Sequence, residues 1–278
     1  MRFTNSQVKN TPEIILEQIN KKIKELKNTG YQGSSLAAGG HAIIFSAGLG
    51  TRFKPWTDFH PKALAIVNGK SLLQRNIEYL QQYGIKDVVV NVHHFPEQII
   101  EAVEKNKGWG SNVVISDERH EILETGGGLM KVKYLLKSDE PFFSLNVDIL
   151  TNLDINSMMA FHQLHKPLVT FGVTNRKSSR VLLFDSDYRL CGWKNLQTGE
   201  QKIAIDKPGL VEKAYSCVVI YDPKIFSLIK QQGKFSIMET FLDLAAENII
   251  LGYDHSGDKL VDVGKPESVA IAESLFTL

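Results

Sequence analysis

The chain has 278 residues, of which 43% are apolar and 23% charged, the balance of a globular protein with a sizeable core. A formal net charge of +1 supplies no bulk attraction to nucleic acid or to an anionic membrane surface. No apolar run approaches the ~18 residues that would span a bilayer, and the two cysteines, Cys191 and Cys217, lack metal-ligand spacing. A soluble, cytoplasmic protein without nucleic-acid or membrane partners is expected.

In chain order, Thr11-Pro12-Glu13 has the form of a helix start, with Thr11 as cap and Pro12 at the first helical position. Ile14, Ile15, Leu16, Ile19, Ile23 and Leu26 continue an approximate helical stripe, and the small residues of 29–40 read as a linker. From residue 41 the pattern alternates. Strands are expected at 42–46, 87–92, 112–116 and 142–147, with helices at 71–83, 96–107 and 127–137 between them. Such alternation predicts right-handed βαβ crossovers and a mainly parallel sheet. Further strands are expected at 168–174, 180–184, 214–221 and 249–253, and the turn-rich stretch 183–205 reads as an antiparallel insertion.

The densest information lies at 42–62. Ala42-Ile43-Ile44-Phe45 is an uncharged run fit for a strand covered on both faces. Ser46-Ala47-Gly48-Leu49-Gly50-Thr51 follows, small enough for backbone N–H groups to approach a polyanion. Arg52 and Lys62 add the positive charge that a triphosphate requires. Two commoner phosphate motifs do not fit. A dinucleotide fingerprint needs a third glycine where Phe53 stands, and Gly69-Lys70-Ser71 has Leu64, not glycine, five positions earlier.

What remains is G-x-G-T-R-x-x-P-x-T over residues 48–57, followed by Pro61-Lys62. This resembles the signature of the sugar-1-phosphate nucleotidyltransferases, which join a nucleoside triphosphate to a sugar 1-phosphate and release pyrophosphate. The resemblance implies an α/β fold with a Rossmann-like, mainly parallel sheet flanked by helices, of the GT-A-like nucleotidyltransferase architecture. It makes residues 1–40 an N-terminal extension and 41–278 the nucleotidyltransferase domain. Arg52 would bind the β- and γ-phosphates, and Lys62 the α-phosphate or the sugar phosphate. Ala47, Gly48, Gly50 and Thr51 would cradle the nucleotide.

Nucleotidyl transfer needs charge stabilisation at the departing pyrophosphate, normally from a divalent metal. Mg²⁺ takes a few carboxylates together with phosphate oxygens and water. Asp148 ends the apolar run Phe142–Val147, and Asp262 lies in Leu260-Val261-Asp262-Val263-Gly264, similar to the D-V-G-T-x-E segment of the family with Lys265 in place of threonine. The resemblance makes both aspartates Mg²⁺ ligands. Val147 replaces a usual glycine and is expected to narrow the space beside the metal. Asn146, on the same strand face as Asp148, would orient that carboxylate or contact the nucleotide.

Glu124-Thr125-Gly126-Gly127-Gly128 is expected at a loop-to-helix junction, with Gly126 and Gly127 framing a base. L-E-T-G-G-G, together with V-D-V-G-x-x-E at the C-terminal end, resembles the branch that uridylylates N-acetylmuramate 1-phosphate in cell-wall recycling. UTP with that sugar phosphate is therefore the expected pair. GTP with mannose- or heptose-1-phosphate is the alternative, and the oligomeric state is left open. A regulatory protein that binds nucleotide-sugar without turnover is disfavoured by the presence of Arg52, Lys62 and both aspartates. A glycosyltransferase is disfavoured because Asp148 has no D-x-D partner, Asn146 and Leu150 standing two residues to either side.

Other residues carry weaker signals. His93 and His94 point to opposite strand faces and read as structural or rim residues. Lys207 and Lys213 match no motif. Cys217 stands where relatives have glycine, and is expected to reshape the sugar pocket. Arg176 and Arg180 read equally as sugar-side groups or as a solvated loop.

Overall fold

A computed structural model describes residues 39–136 and 139–277. The helix and most of the linker expected within 1–40 lie outside these residues. The run that opens the domain becomes β1 (His41–Phe45), followed by a short hairpin, β2 (Ile66–Val67) and β3 (Lys70–Ser71). Next come α1 (Leu72–Gln81), β4 (Asp87–Val92), α2 (Pro96–Lys105) and β5 (Asn112–Asp117). Then follow α3 (Glu124–Lys131), α4 (Lys133–Leu136), β6 (Phe142–Asn146), β7 (Ile149–Thr151) and α5 (Ile155–His165). The C-terminal half comprises β8 (Val169–Thr174), β9 (Arg180–Phe184), β10 (Leu190–Asn195), β11 (Gln201–Ile203) and β12 (Val211–Tyr221). It closes with α6 (Ile225–Leu228), α7 (Ile237–Ala245), β13 (Ile250–Asp254), β14 (Leu260–Asp262) and α8 (Glu267–Leu275).

Ala42, Ile43 and Ile44 are all fully buried, as a strand covered on both faces demands. Alternate residues serve two separate cores. Ala42 and Ile44 pack with Val88, Val90 and Leu145 against α1, α2 and α5, whereas Ile43 packs with Val89 and Phe142 against α3 and α7. The central sheet runs β5-β4-β1-β6-β12-β8-β13 and is mixed but mostly parallel, β12 alone running against the others. The stretch expected as an antiparallel insertion forms β10 and β11, which extend an arm from β9 and the first half of the long β12.

Two features of this topology create a site. The chain winds outward from β1 to β4 and β5, then returns to the other side of β1 as β6. The crevice at the carboxyl ends of β1 and β6 is the switch point where open α/β sheets take ligands. The antiparallel pair β7–β14 then sets Asp262 opposite Ile149, the residue after Asp148. The C-terminal part of the domain is thereby returned to the end of β6.

Candidate active site

The loop leaving β1 is held by hydrogen bonds that explain its composition. Gly50 sits at φ 62°, and a Cβ there would lie 2.8 Å from the Thr57 methyl. The Thr57 hydroxyl donates to the Gly50 carbonyl at 2.9 Å, and Phe53 N–H donates to the same oxygen at 2.7 Å. His94 donates to the Thr57 carbonyl at 2.8 Å and so braces the loop from the segment after β4. The Gly48 position is different: a Cβ would meet nothing within 4 Å, because the residue faces an open cleft. That cleft encloses about 460 Å³ and is bordered by Ala47, Gly48, Gly50, Thr51, Arg52 and Lys62 on one side. Asn146, Val147, Asp148, Glu124, Thr125 and Gly264 border it on the other.

Lys62 and Asp148 meet at 2.5 Å between Nζ and Oδ2, with the lysine side chain only 10% exposed. The pair places one cation and one anion at the floor of the cleft, and removing either would leave a largely desolvated charge without its partner. Asp262 reaches the same corner. A Cβ on Gly264 would lie 2.7 Å from Asp262 Oδ1 and 3.1 Å from Arg52 Nη2, so glycine is what allows these groups to approach. Val263 N–H donates to the Asp148 carbonyl at 2.8 Å, which fixes the spacing of the two aspartates. Asp262 Oδ1 is buried and has no hydrogen-bond partner. A buried, unsatisfied carboxylate oxygen beside a second carboxylate and an open cleft is a donor set that fits a hard divalent cation sharing phosphate oxygens. Val147 belongs mainly to the hydrophobic core and only borders the cleft, so it narrows the site less than its replacement of glycine suggests.

The glycine triplet corrects the expectation most clearly. It lies inside α3, not in a loop before it, and Gly126 and Gly127 are buried behind the cleft wall. Both of their N–H groups donate to the Phe235 carbonyl, at 2.9 and 3.4 Å, so neither is directed to a base. A Cβ on Gly126 would fall 2.2 Å from the Phe235 ring, and one on Gly127 2.1 Å from the Gly233 carbonyl oxygen. On Gly128 it would fall 2.9 Å from Glu118 Oε1. The glycines admit a neighbouring segment and a side chain; Glu124 and Thr125 are the residues of this stretch that line the cleft. Glu124 holds φ 59°, a left-handed conformation that favours glycine, and its carboxylate lies 4.0 Å from Lys234 Nζ.

Behind the loop lies a network that motif reading missed. Asn91 Oδ1 accepts from the N–H groups of Ser46 and Ala47 at 2.7 and 3.3 Å. Asn91 Nδ2 donates to Glu118 Oε1 at 2.9 Å, and Leu123 N–H donates to the other Glu118 oxygen at 3.2 Å. Glu118 is only 2% exposed. The loop after β1 and the start of α3 are thus tied to one buried carboxylate. Asn91 in the apolar run Asp87–Val92 was the available signal, since a polar residue in a doubly covered strand must be hydrogen-bonded. His93 donates to the Glu118 carbonyl at 2.7 Å, and the described residues contain no cluster of three or more His, Cys, Asp or Glu side chains placed to hold a metal.

On the far side, Lys207 pairs with Asp185 away from the cleft. Lys213 is buried against Asp254 and Asn175, each at 2.6 Å. Arg176 donates to the Tyr215 carbonyl at 2.9 Å. Cys217 occupies a bulge of β12 at φ 57°, again a conformation natural to the glycine of relatives. Burial, with Asp148 and Asp262 nearby and Arg176 opposing them, pushes its thiol up to about 12, so it stays protonated.

Comparison with known proteins bears on the family and the fold. Residues 41–182 match the family described as nucleotidyl transferase. The chain is 28% identical over 239 residues to a mannose-1-phosphate guanyltransferase of Yarrowia lipolytica, covering 84% of this chain and 63% of that protein. It is 42% identical over 110 residues to the N-acetylmuramate alpha-1-phosphate uridylyltransferase of Caulobacter vibrioides, covering 38% of this chain and 45% of that protein. The chain therefore spans less than two thirds of the length of these curated relatives. Among solved structures, HddC from Yersinia pseudotuberculosis complexed with GMP-PN superposes with a TM-score of 0.68 at 22% identity, over 84% of this chain and 98% of that one. The inositol-1-phosphate CTP transferase from T. maritima superposes with a TM-score of 0.66 at 16% identity, over 88% and 97%.

Proposed function

Because the chain belongs to the nucleotidyl transferase family, we propose that it transfers a nucleotidyl group from a nucleoside triphosphate to a sugar 1-phosphate, releasing pyrophosphate. The observation that carries this reading is the convergence of Arg52, Lys62 and Asp148 on one cleft beside a glycine-lined loop, with Asp262 held against Gly264 at the cleft wall. Arg52, exposed at the cleft edge, neutralises the pyrophosphate as it departs, and Lys62 orients the α-phosphate while holding Asp148. Asp148 and Asp262 are the residues that would hold Mg²⁺, which when bound supplies charge neutralisation on the phosphate oxygens. The sugar phosphate is itself the nucleophile, so no covalent enzyme intermediate is needed.

UTP and N-acetylmuramate 1-phosphate are the proposed pair, supported by the 42% identity shared with the Caulobacter uridylyltransferase and by Leu123-Glu124-Thr125-Gly126-Gly127-Gly128. A guanylyl alternative is favoured by the longer, 28% identical matches to mannose-1-phosphate guanyltransferases. It is also favoured by Glu124, whose ionised carboxylate can only accept hydrogen bonds, as the adjacent N–H donors of guanine would require. Pyrophosphate release measured for UTP, GTP, CTP, ATP and dTTP against a panel of sugar 1-phosphates separates the two. UTP is expected to exceed GTP by at least about tenfold in kcat/KM, equivalent to ~1.4 kcal/mol. Equal or greater efficiency with GTP would transfer the proposal to the guanylyl reading.

A further inference from the structure

A second chamber of about 340 Å³ adjoins the cleft and shares Phe45, Thr125, Asn146 and Ser236 with it. Its size falls within the range of small-molecule pockets, which begin at about 300 Å³. Trp193 and Tyr215 from the antiparallel arm and Met238 from α7 give it an aromatic and apolar wall. One charged residue, Arg180, opens into it, and no Asp or Glu is among its lining residues. Arg180 begins β9, where the Ser178 hydroxyl donates to its carbonyl at 2.7 Å and accepts from its N–H at 3.3 Å. The backbone is pinned, yet the guanidinium has no hydrogen-bond or ion-pair partner among the described residues. Its cationic neighbours are committed elsewhere, Arg176 to the Tyr215 carbonyl and Lys213 to Asp254.

A single unpaired guanidinium at an aromatic, apolar chamber suits a carboxylate carried on a short carbon arm. The geometry points to this chamber as the subsite for an acidic substituent of the sugar phosphate, with Arg180 pairing the carboxylate and Trp193 and Met238 covering the arm. Asn146 borders both cavities, so one substrate spans from its phosphate at Lys62 and Asp148 to its acid at Arg180. The inference rests on the proposed transfer to a sugar 1-phosphate, and it names the substrate class as acidic sugars. N-acetylmuramate, a glucosamine derivative bearing a lactyl ether, is one of them.

The test uses pairs that differ in the acidic substituent, the lactyl ether for N-acetylmuramate against N-acetylglucosamine 1-phosphate and the C6 carboxylate alone for glucuronate against glucose 1-phosphate. Each is assayed with UTP and with GTP for wild type, Arg180→Ala and Arg180→Lys, and binding is measured in parallel by calorimetry with a non-hydrolysable nucleotide analogue. Wild type is expected to favour the acid of a pair at least tenfold, chiefly through KM. Arg180→Ala should bring that ratio close to one, and Arg180→Lys should keep part of it, since an ammonium retains the charge but not the fork. Equal losses on acid and neutral members, or no acid preference in either pair, would overturn the subsite. An Arg180-dependent preference for glucuronate alone sustains the subsite and removes N-acetylmuramate from the proposed function. Turnover of neutral sugars alone sustains the transferase reading and overturns the subsite. Should nothing turn over, an Arg180-dependent calorimetric preference for the acid sustains the subsite and its absence overturns it.

Discussion

The loop that leaves β1 borders the cleft and the arm that carries β9 to β12 borders the adjoining chamber, and the two are held in different ways. The loop is fixed by backbone. Gly50 closes on Thr57, Asn91 holds two successive N–H groups, and Gly48 keeps its Cβ space open. The arm presents side chains, Arg180, Trp193 and Tyr215, from antiparallel strands whose register admits a bulge. The family match ends at residue 182, inside β9, so most of the arm lies beyond it. The contrast teaches where change is tolerated. A loop held through its backbone fails when a Cβ intrudes, as at Gly50, whereas a side-chain wall can be rewritten residue by residue.

The largest effect is expected at the carboxylates that complete the cradle. Asp148→Asn and Asp262→Asn should each abolish pyrophosphate release and its response to added Mg²⁺. The double variant should be little worse than either single one, because groups acting as a unit are not additive. Near-wild-type turnover in one of the single variants would remove that aspartate from the metal site. Next in size, Arg52→Ala should lower kcat by about 10²–10³-fold, the range for losing a preorganised charge stabiliser. A change confined to KM would instead make Arg52 a binding group only.

The third change affects stability. Gly127→Ala places a methyl against the Gly233 carbonyl oxygen, backbone that cannot swing away. A loss of about 1–3 kcal/mol is expected from such overpacking, with Tm falling about 2–4 °C per kcal/mol. An unchanged melting curve would show that the contact between α3 and the 233–235 segment yields freely. The smallest effect belongs to the arm. Cys217→Gly relieves a left-handed residue, a conformation costing about 1–2 kcal/mol for a side-chain-bearing residue, but loses the thiol's packing. Stability should change by no more than about 1 kcal/mol while the relative use of sugar phosphates shifts. A large loss of Tm would place Cys217 with the rigid half of the site.

The strands of the central sheet, the helices between β3 and β6 and the signature loop were legible because each is written in contiguous residues. The uncharged run around Ile43 and the spacing of Gly48, Gly50, Arg52 and Thr57 are local patterns. Asp262 was reached only through family resemblance, since Asp-Val-Gly alone says little. The glycine triplet was misplaced because a glycine looks the same in sequence whether it admits a ligand, a carbonyl or a side chain. Glu118 gave no sign at all, a carboxylate in a polar stretch whose burial depends on Asn91 and Leu123 meeting it.

By itself the sequence determined a doubly covered first strand, the alternation that builds the sheet, and a glycine-and-arginine loop after the first strand. These follow from propensity and backbone sterics acting over a few residues. Only the tertiary structure decided that Asp262 reaches the corner of Asp148, that Gly126 and Gly127 admit residues 233–235, and that Arg180 stands at the adjoining chamber without a partner among the described residues. Each depends on contacts between segments far apart in the chain, set by β7–β14 pairing, α3 packing and the antiparallel arm. No local pattern encodes such distances.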